Sequence, residues 1–214
     1  MREVKINKEL ILASTSPRRK ILIARIGLPF KLADPNSFET PPLFGESPER
    51  YVSRMAVLKT KYAVDNIEDN QLVVGSDTSV VVNGKILGKP RSADHAWEML
   101  TELRGITHTV ITSIAVSNHH GELCSVTRRS LIHMRKYTDL EIDKYIATGD
   151  PMDKAGAYAI QNEVFQPVER VEGCYTSVVG LPLCALSKIL FRKGVLNKIT
   201  FCGDQIDAKA VTLR

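Results

Sequence analysis

Apolar residues recur along this chain in two rhythms, short continuous runs and helical stripes. Leu10 to Ala13 is a run short enough for a buried strand. Ser16-Pro17 then reads as a helix start, a hydroxyl cap followed by proline where no amide hydrogen is needed. Leu22 and Ile26 continue that helix, and Gly27-Leu28-Pro29 stops it. Phe30 to Ala33 predicts a short strand, and Pro35, Pro41 and Pro42 make Asp34 to Ser47 a loop. Beyond Ser47-Pro48, the spacing of Tyr51, Met55, Leu58 and Tyr62 predicts a helix with one buried stripe. Leu72 to Val74 predicts a buried strand ending at Gly75-Ser76-Asp77-Thr78.

Val80 to Val82, Asn83-Gly84 and Lys85 to Leu87 predict a hairpin, because Asn-Gly supplies the positive φ of a tight turn. Ser92 caps a helix carrying Ala96, Met99, Leu100 and Leu103, which Gly105 ends. Thr107 to Ser117 and Leu123 to Met134 are β-rich, joined by a polar stretch. Thr138 to Glu141 is a capping box opening a helix that ends near Gly149. Two weak strands and a last helix over 183–193 complete the pattern. Alternating helices and strands without repeats predict an α/β fold with a mixed central sheet flanked by helices.

The 214 residues, 43% hydrophobic and 25% charged, suffice for one sizeable core, a single domain or two lobes around one sheet. No apolar run approaches the roughly 20 residues needed to cross a bilayer. The first ten residues show neither an apolar core nor a cleavage site for secretion. Cys124, Cys174, Cys184 and Cys202 lie far apart, and read as reduced thiols of a cytoplasmic protein. The net charge of +5 suits a polyanionic partner without choosing between nucleotide, nucleic acid and acidic lipid.

The position of the charges says more. Ser14 to Arg19 puts hydroxyls and two arginines at a helix N-terminus, a ready anion site. Asp77 follows a buried strand, where a carboxylate can hold a divalent ion or activate water. Glu39, in the proline-bounded loop, is a candidate second carboxylate. Gly84 to Pro90 imitates a P-loop but has three residues between its glycines and proline after the lysine. Lys89 on that turn still presents a cation, and Gln161 carries the donor and acceptor needed to read a base edge. The five histidines show no zinc-ligand spacing and read as structural or solvated.

Five strings then fall in register. Leu12 to Arg19, Gly75 to Thr78, Leu87 to Pro90, Asp153 to Tyr158 with Ile160-Gln161, and Val179 to Pro182 together resemble the Maf family of nucleoside triphosphate pyrophosphatases, from about Leu10 to Lys193. The resemblance implies two lobes around a nucleotide-binding cleft, in a fold shared with inosine-triphosphate pyrophosphatases. It implies one catalytic domain over 1–193, with 194–214 an extension of no assigned role. It also implies a homodimer and a divalent cation, magnesium or manganese. Position by position, Asp77 matches the catalytic proton acceptor, and Ser14, Arg18, Arg19, Lys59, Lys89 and Gln161 match residues lining the nucleotide site. Glu39 matches an acid read as a metal partner beside Asp77. Arg18, Thr78 and Gln161 match the positions linked to substrate choice, in the combination of the branch acting on dTTP and UTP.

Three departures stand out. Phe38-Glu39 replaces a frequent acidic pair, which weakens metal binding through the loop. Asn162 replaces a usual glycine at the edge of the base pocket. Ser76 replaces a common alanine, a change expected to matter little. The rival reading is a non-catalytic nucleic-acid-binding or cell-division regulator using Arg18 to Lys20 and Arg128-Arg129. Neither a helix-turn-helix nor a stacking platform supports it, with 6% aromatics, so the expected partner is a nucleotide and neither nucleic acid nor membrane. A third reading is a hydrolase of modified purine triphosphates.

Overall fold

A computed structural model describes residues 8–35, 40–64 and 67–199. In chain order the elements are β1 (Glu9–Ala13), α1 (Pro17–Ala24), β2 (Phe30–Ala33), α2 (Pro48–Val64), β3 (Gln71–Val82) and β4 (Lys85–Leu87). They continue as α3 (Ala93–Leu103), β5 (Thr107–Ser117), β6 (Leu123–Met134), α4 (Asp139–Ala147), β7 (Val168–Glu172), α5 (Tyr175–Val179) and α6 (Leu183–Arg192). The strands form a single sheet in the order β2-β1-β3-β5-β6-β7, with β4 added to β3. β1 pairs in parallel with β2 and β3, whereas β3–β4 and β6–β7 are antiparallel. The fold is mixed α/β, with a central mixed sheet flanked by helices, as the alternating pattern predicts. None of the described helices is long and apolar enough to cross a membrane.

The described residues divide into two compact units, with boundaries inside β3, β5 and β6 and at the end of α5. The first takes the chain up to Asp77, Thr112–Arg128 and the residues from Gly180. The second takes Thr78–Ile111 and Arg129–Val179.

In the first unit, Leu10, Leu12, Val73 and Val74 are buried on paired parallel strands, which explains their unbroken apolar runs. α2 departs from its expected stripe. Its buried residues are Val52, Met55, Ala56, Lys59 and Thr60, while Tyr51 and Leu58 are half-buried and Tyr62 is exposed. The helix turns its small residues inward because the strand facing them carries Gly75, over which only small side chains allow close packing. The caps are mixed. Ser47 Oγ accepts from the Arg50 amide, as its position predicts. Ser16 makes no side-chain cap, and its own amide donates to Ser14 Oγ instead.

The second unit has its own core, built on Val80, Leu100, Leu103, Ile132, Tyr137, Ile142, Tyr145 and Phe165. β3 runs unbroken through the expected turn at 75–78, and β4 returns from a turn whose Asn83 and Gly84 both take positive φ. Ser92 caps α3 and the Thr138–Glu141 box caps α4, both as their sequences predict. Only one of the two expected late strands forms, β7. The stretch before it contains two 3-10 turns, Asp150–Asp153 and Ala155–Ala157.

Buried in this unit, His108 meets the Tyr158 hydroxyl with Nε2 at 2.8 Å. Burial, with a smaller contribution from His133, lowers its pKa from 6.5 to about 4. Between those values the unfolded chain binds a proton that the folded chain refuses. The neutral ring therefore costs stability as pH falls through this window, and the loss levels off below it. Denaturation midpoints of the wild-type protein and His108→Gln, compared at about pH 7 and about pH 4.5, check this. The wild-type midpoint should fall further; equal falls contradict the assignment.

Candidate active site

The site residues of the first unit are placed by one close contact between helix and strand. A Cβ on Gly75 would lie 2.3 Å from Thr60 Oγ1, 2.5 Å from the Ala56 carbonyl oxygen and 2.8 Å from the Thr60 nitrogen. The α2 backbone therefore rests directly on β3 at that residue. The Thr60 hydroxyl lies within bonding reach of the Ala56 oxygen at 2.9 Å and the Ala115 oxygen at 3.2 Å, tying α2 to β5 as well. Side chains alternate along a strand, so Asp77 points to the same face as Gly75. One position before Thr60 on α2, Lys59 meets it, with Nζ 2.6 Å from Asp77 Oδ1.

Both partners of this ion pair are buried, at 8% and 7% exposure. Charges so far out of water persist only when paired and well oriented. The pair thus presents an aspartate with one oxygen already held, beside a lysine that cannot drift away.

On the opposite face of β3 lies Ser76, which is completely buried. Its hydroxyl sits 3.0 Å from the Ser113 oxygen and 2.8 Å from the Gly180 oxygen. Arg19 donates from Nε to the same Gly180 oxygen at 2.9 Å, and from Nη1 to Ser14 Oγ at 3.3 Å. Ser14, itself buried, also accepts from the Ser16 amide at 3.2 Å. The turn at the head of α1 is therefore strapped to Gly180, and through that carbonyl to the strand residue preceding Asp77. The expectation that Ser76 matters little is corrected here, because an alanine has no hydroxyl for these two carbonyls. Arg18 is half-buried on the first turn of α1, at the positive end of the helix dipole.

Of the expected residues, Ser14, Arg18, Arg19, Lys59 and Asp77 belong to this unit. Glu39 lies outside the described residues. Among the described residues, no group of three His, Cys, Asp or Glu side chains gathers as a metal cluster.

Thr78, Lys89 and Gln161 belong to the second unit. Thr78 is half-buried on β3. Lys89 is exposed, and the preceding residue is anchored, since the Gly156 amide donates to the Gly88 oxygen at 3.0 Å. That bond joins two strings 66 residues or so apart in sequence, Leu87–Pro90 and Asp153–Tyr158. Gln161 is half-buried, and its Oε1 is buried without a hydrogen-bond partner among the described residues. An unpaired buried acceptor costs roughly 1–3 kcal/mol, so such an atom points to a donor supplied from elsewhere.

Sequence reasoning missed Gly75, Thr60 and Ser76 as organisers of the site. Glycine inside a strand was the available signal, since it marks a place where another backbone approaches.

The chain is similar to known proteins over most of its length. Residues 9–193 match the model of a family described as Maf-like protein. The dTTP/UTP pyrophosphatase of Pelotomaculum thermopropionicum is 42% identical over 188 residues, 87% of this chain and 97% of that protein. The dTTP/UTP pyrophosphatase of Dictyoglomus thermophilum is 42% identical over 191 residues, 88% and 98% of the two chains. Among solved structures, the Ham1 protein of Staphylococcus aureus aligns with 59% of this chain and 72% of its own, at 18% identity and a TM-score of 0.41, too loose a likeness to carry argument.

Gly75→Ala should be costly out of proportion to one methyl group. The obstacles include backbone atoms, so α2 must shift as a body. We expect a loss of about 2–3 kcal/mol in denaturant unfolding. A variant as stable as the wild-type protein contradicts the packing described.

Proposed function

The chain belongs to the family of Maf-like proteins, and on that footing we propose that it is an enzyme hydrolysing the nucleoside triphosphates dTTP and UTP to the monophosphate and pyrophosphate. Relatives named dTTP/UTP pyrophosphatase at 42% identity over most of the chain support the substrate class. The observation that carries the chemistry is the buried Lys59–Asp77 pair, strapped through Ser76 and Gly180 to the head of α1.

In this reading the carboxylate of Asp77 takes a proton from water as the water oxygen bonds to the α-phosphorus. The bond from that phosphorus to the α–β bridging oxygen breaks, and pyrophosphate leaves with the electron pair. Lys59 holds Asp77 in place and adds positive charge where phosphate charge develops. Ser14 and Arg18, at the head of α1, bind phosphate oxygens. Arg19 is held in place by its bonds to Gly180 and Ser14 and adds positive charge at the head of α1. Lys89 supplies a further, exposed cation. Phosphoryl transfer demands chiefly positioning and charge neutralisation, which suits such a set.

A divalent ion, magnesium or manganese, fits the oxygen chemistry of Asp77, since these ions favour carboxylate, phosphate and water ligands. Asp77 and Glu39 would hold it, and it supplies neutralisation of triphosphate charge.

Base choice falls to Gln161, with Arg18 and Thr78. Thymine and uracil share a ring N–H beside a carbonyl. The buried, unpaired Oε1 of Gln161 is an acceptor for such an N–H, and its amide nitrogen is a donor for such a carbonyl. We place the protein in the cytoplasm as a homodimer; Cys124 and Cys174 are free thiols, in keeping with that compartment.

Pyrophosphate release measured over dTTP, UTP, dCTP and the purine triphosphates, with and without magnesium, tests the reading. Turnover should be fastest on dTTP and UTP and should require the metal. Asp77→Asn should lower the rate by about 100-fold or more while the protein stays folded. A folded Asp77→Asn protein with full activity removes Asp77 from the chemistry. Tight, salt-sensitive binding to nucleic acid without pyrophosphate release favours the regulatory reading.

A further inference from the structure

Gln161 sits on a segment fastened on both sides to a single carboxylate oxygen. On one side the Ala159 amide donates to the Tyr145 hydroxyl at 3.1 Å, and that hydroxyl donates to Asp150 Oδ2 at 2.7 Å. On the other side Asn162 Nδ2 donates to the same Oδ2 at 3.1 Å. Lys154 Nζ holds the second oxygen, Asp150 Oδ1, at 2.9 Å. All of these residues lie in the second unit.

The same Asn162 side chain also closes the turn that follows. Its Oδ1 accepts from the Phe165 amide at 2.7 Å and from the Val164 amide at 3.2 Å. Phe165 is buried and stacks on Tyr145 with centroids 4.3 Å apart, so the turn and the clip share one foundation. Burial alone pushes the Asp150 carboxyl pKa up, but bonds from Lys154, Tyr145 and Asn162 outweigh it and hold the group below its ordinary value. The hub is therefore a charged acceptor, for which donated bonds are stronger than between neutral groups.

A glycine in its place would have no side chain with which to make any of these bonds. We propose that Asn162 is a positioning residue for base recognition, clipping the Gln161 segment to Asp150 so that the Gln161 amide is presented in one orientation. This rests on the reading that Gln161 contacts the base. The clip acts on a residue that binds the base and leaves the reacting phosphorus alone. Its loss should therefore appear in KM and in discrimination between bases, with turnover little changed.

Two variants separate the bonds. Asn162→Ala removes donor and acceptors together without adding backbone freedom. Asn162→Asp keeps the acceptor for Val164 and Phe165 but sets a like charge against Asp150. If the turn alone matters, Asn162→Asp behaves as wild type; if the clip matters, it is at least as impaired as Asn162→Ala. The measurements are KM and kcat for dTTP and dCTP, melting temperature, and amide hydrogen exchange over residues 158–165.

For both variants we expect faster exchange in that segment and KM for dTTP raised about 5-fold or more, the equivalent of one lost hydrogen bond. The dTTP preference over dCTP should narrow, with kcat within about two-fold of wild type. A wild-type-like Asn162→Asp overturns the clip. So does faster exchange with KM and preference unchanged, or a common fall of kcat and melting temperature without a change in preference. Exchange requires no turnover. A wild-type protein that releases no pyrophosphate sinks the functional reading alone, and exchange still judges the clip.

Discussion

The contact of α2 with β3 at Gly75 is the constraint on which the described geometry of the candidate site depends. Burying a lysine and an aspartate together is unfavourable unless the partners are fixed at bonding distance. Long side chains do not fix themselves. Here the backbones do it: Ala56 and Thr60 lie against a residue without a side chain, and the Thr60 hydroxyl reaches the Ala115 carbonyl of β5. With the helix so placed, Lys59 reaches Asp77 at 2.6 Å. The alternation of a strand then does a second task. Ser76 faces the other way and bonds the Gly180 oxygen that also receives Arg19, so both faces of β3 are fastened around the catalytic candidate.

The second unit uses a carboxylate as an anchor. Asp150 is surrounded by donors from Tyr145, Lys154 and Asn162, and its charge is compensated by Lys154. Such a fully satisfied polar cluster holds a unique geometry, because each broken bond leaves a charged acceptor short of a partner. Around it the chain winds through two 3-10 turns and a buried tyrosine instead of regular elements. Irregular backbone held by side-chain bonds is suited to presenting a single side chain such as Gln161.

Much of the fold was legible in the sequence, for reasons that differ between elements. The Asn83-Gly84 hairpin, the Ser92 cap and the Thr138–Glu141 box are local chemistry, and each stands where its residues predict it. The α2 stripe misled because helical periodicity records only where apolar residues fall. The buried face was chosen by a glycine on a strand beyond the end of that helix, and the charged Lys59 turned inward with it. The break expected at Gly75–Thr78 misled for the same reason. Glycine reads locally as a turn, and here it marks an approach between backbones inside a strand. Among the site residues, Asp77 and the Ser14–Arg19 turn could be picked out by type and place. Their coupling through the Gly180 carbonyl could not, since a main-chain acceptor leaves no trace in residue identity.

That carbonyl also sorts the cations by what they can do. An arginine with Nε and Nη1 donated to protein oxygens is held in one place, and its charge arrives already oriented when a phosphate binds. A lysine on an exposed turn keeps conformational freedom and must lose it on contact, at an entropic cost of about 1–2 kcal/mol for so long a side chain. Arg19 and Lys89 therefore carry the same formal charge with different consequences. A fixed charge favours a charged transition state because nothing has to reorganise as the charge moves. A mobile one is suited first to the capture of an anion. The distinction follows from which donors the fold has already occupied.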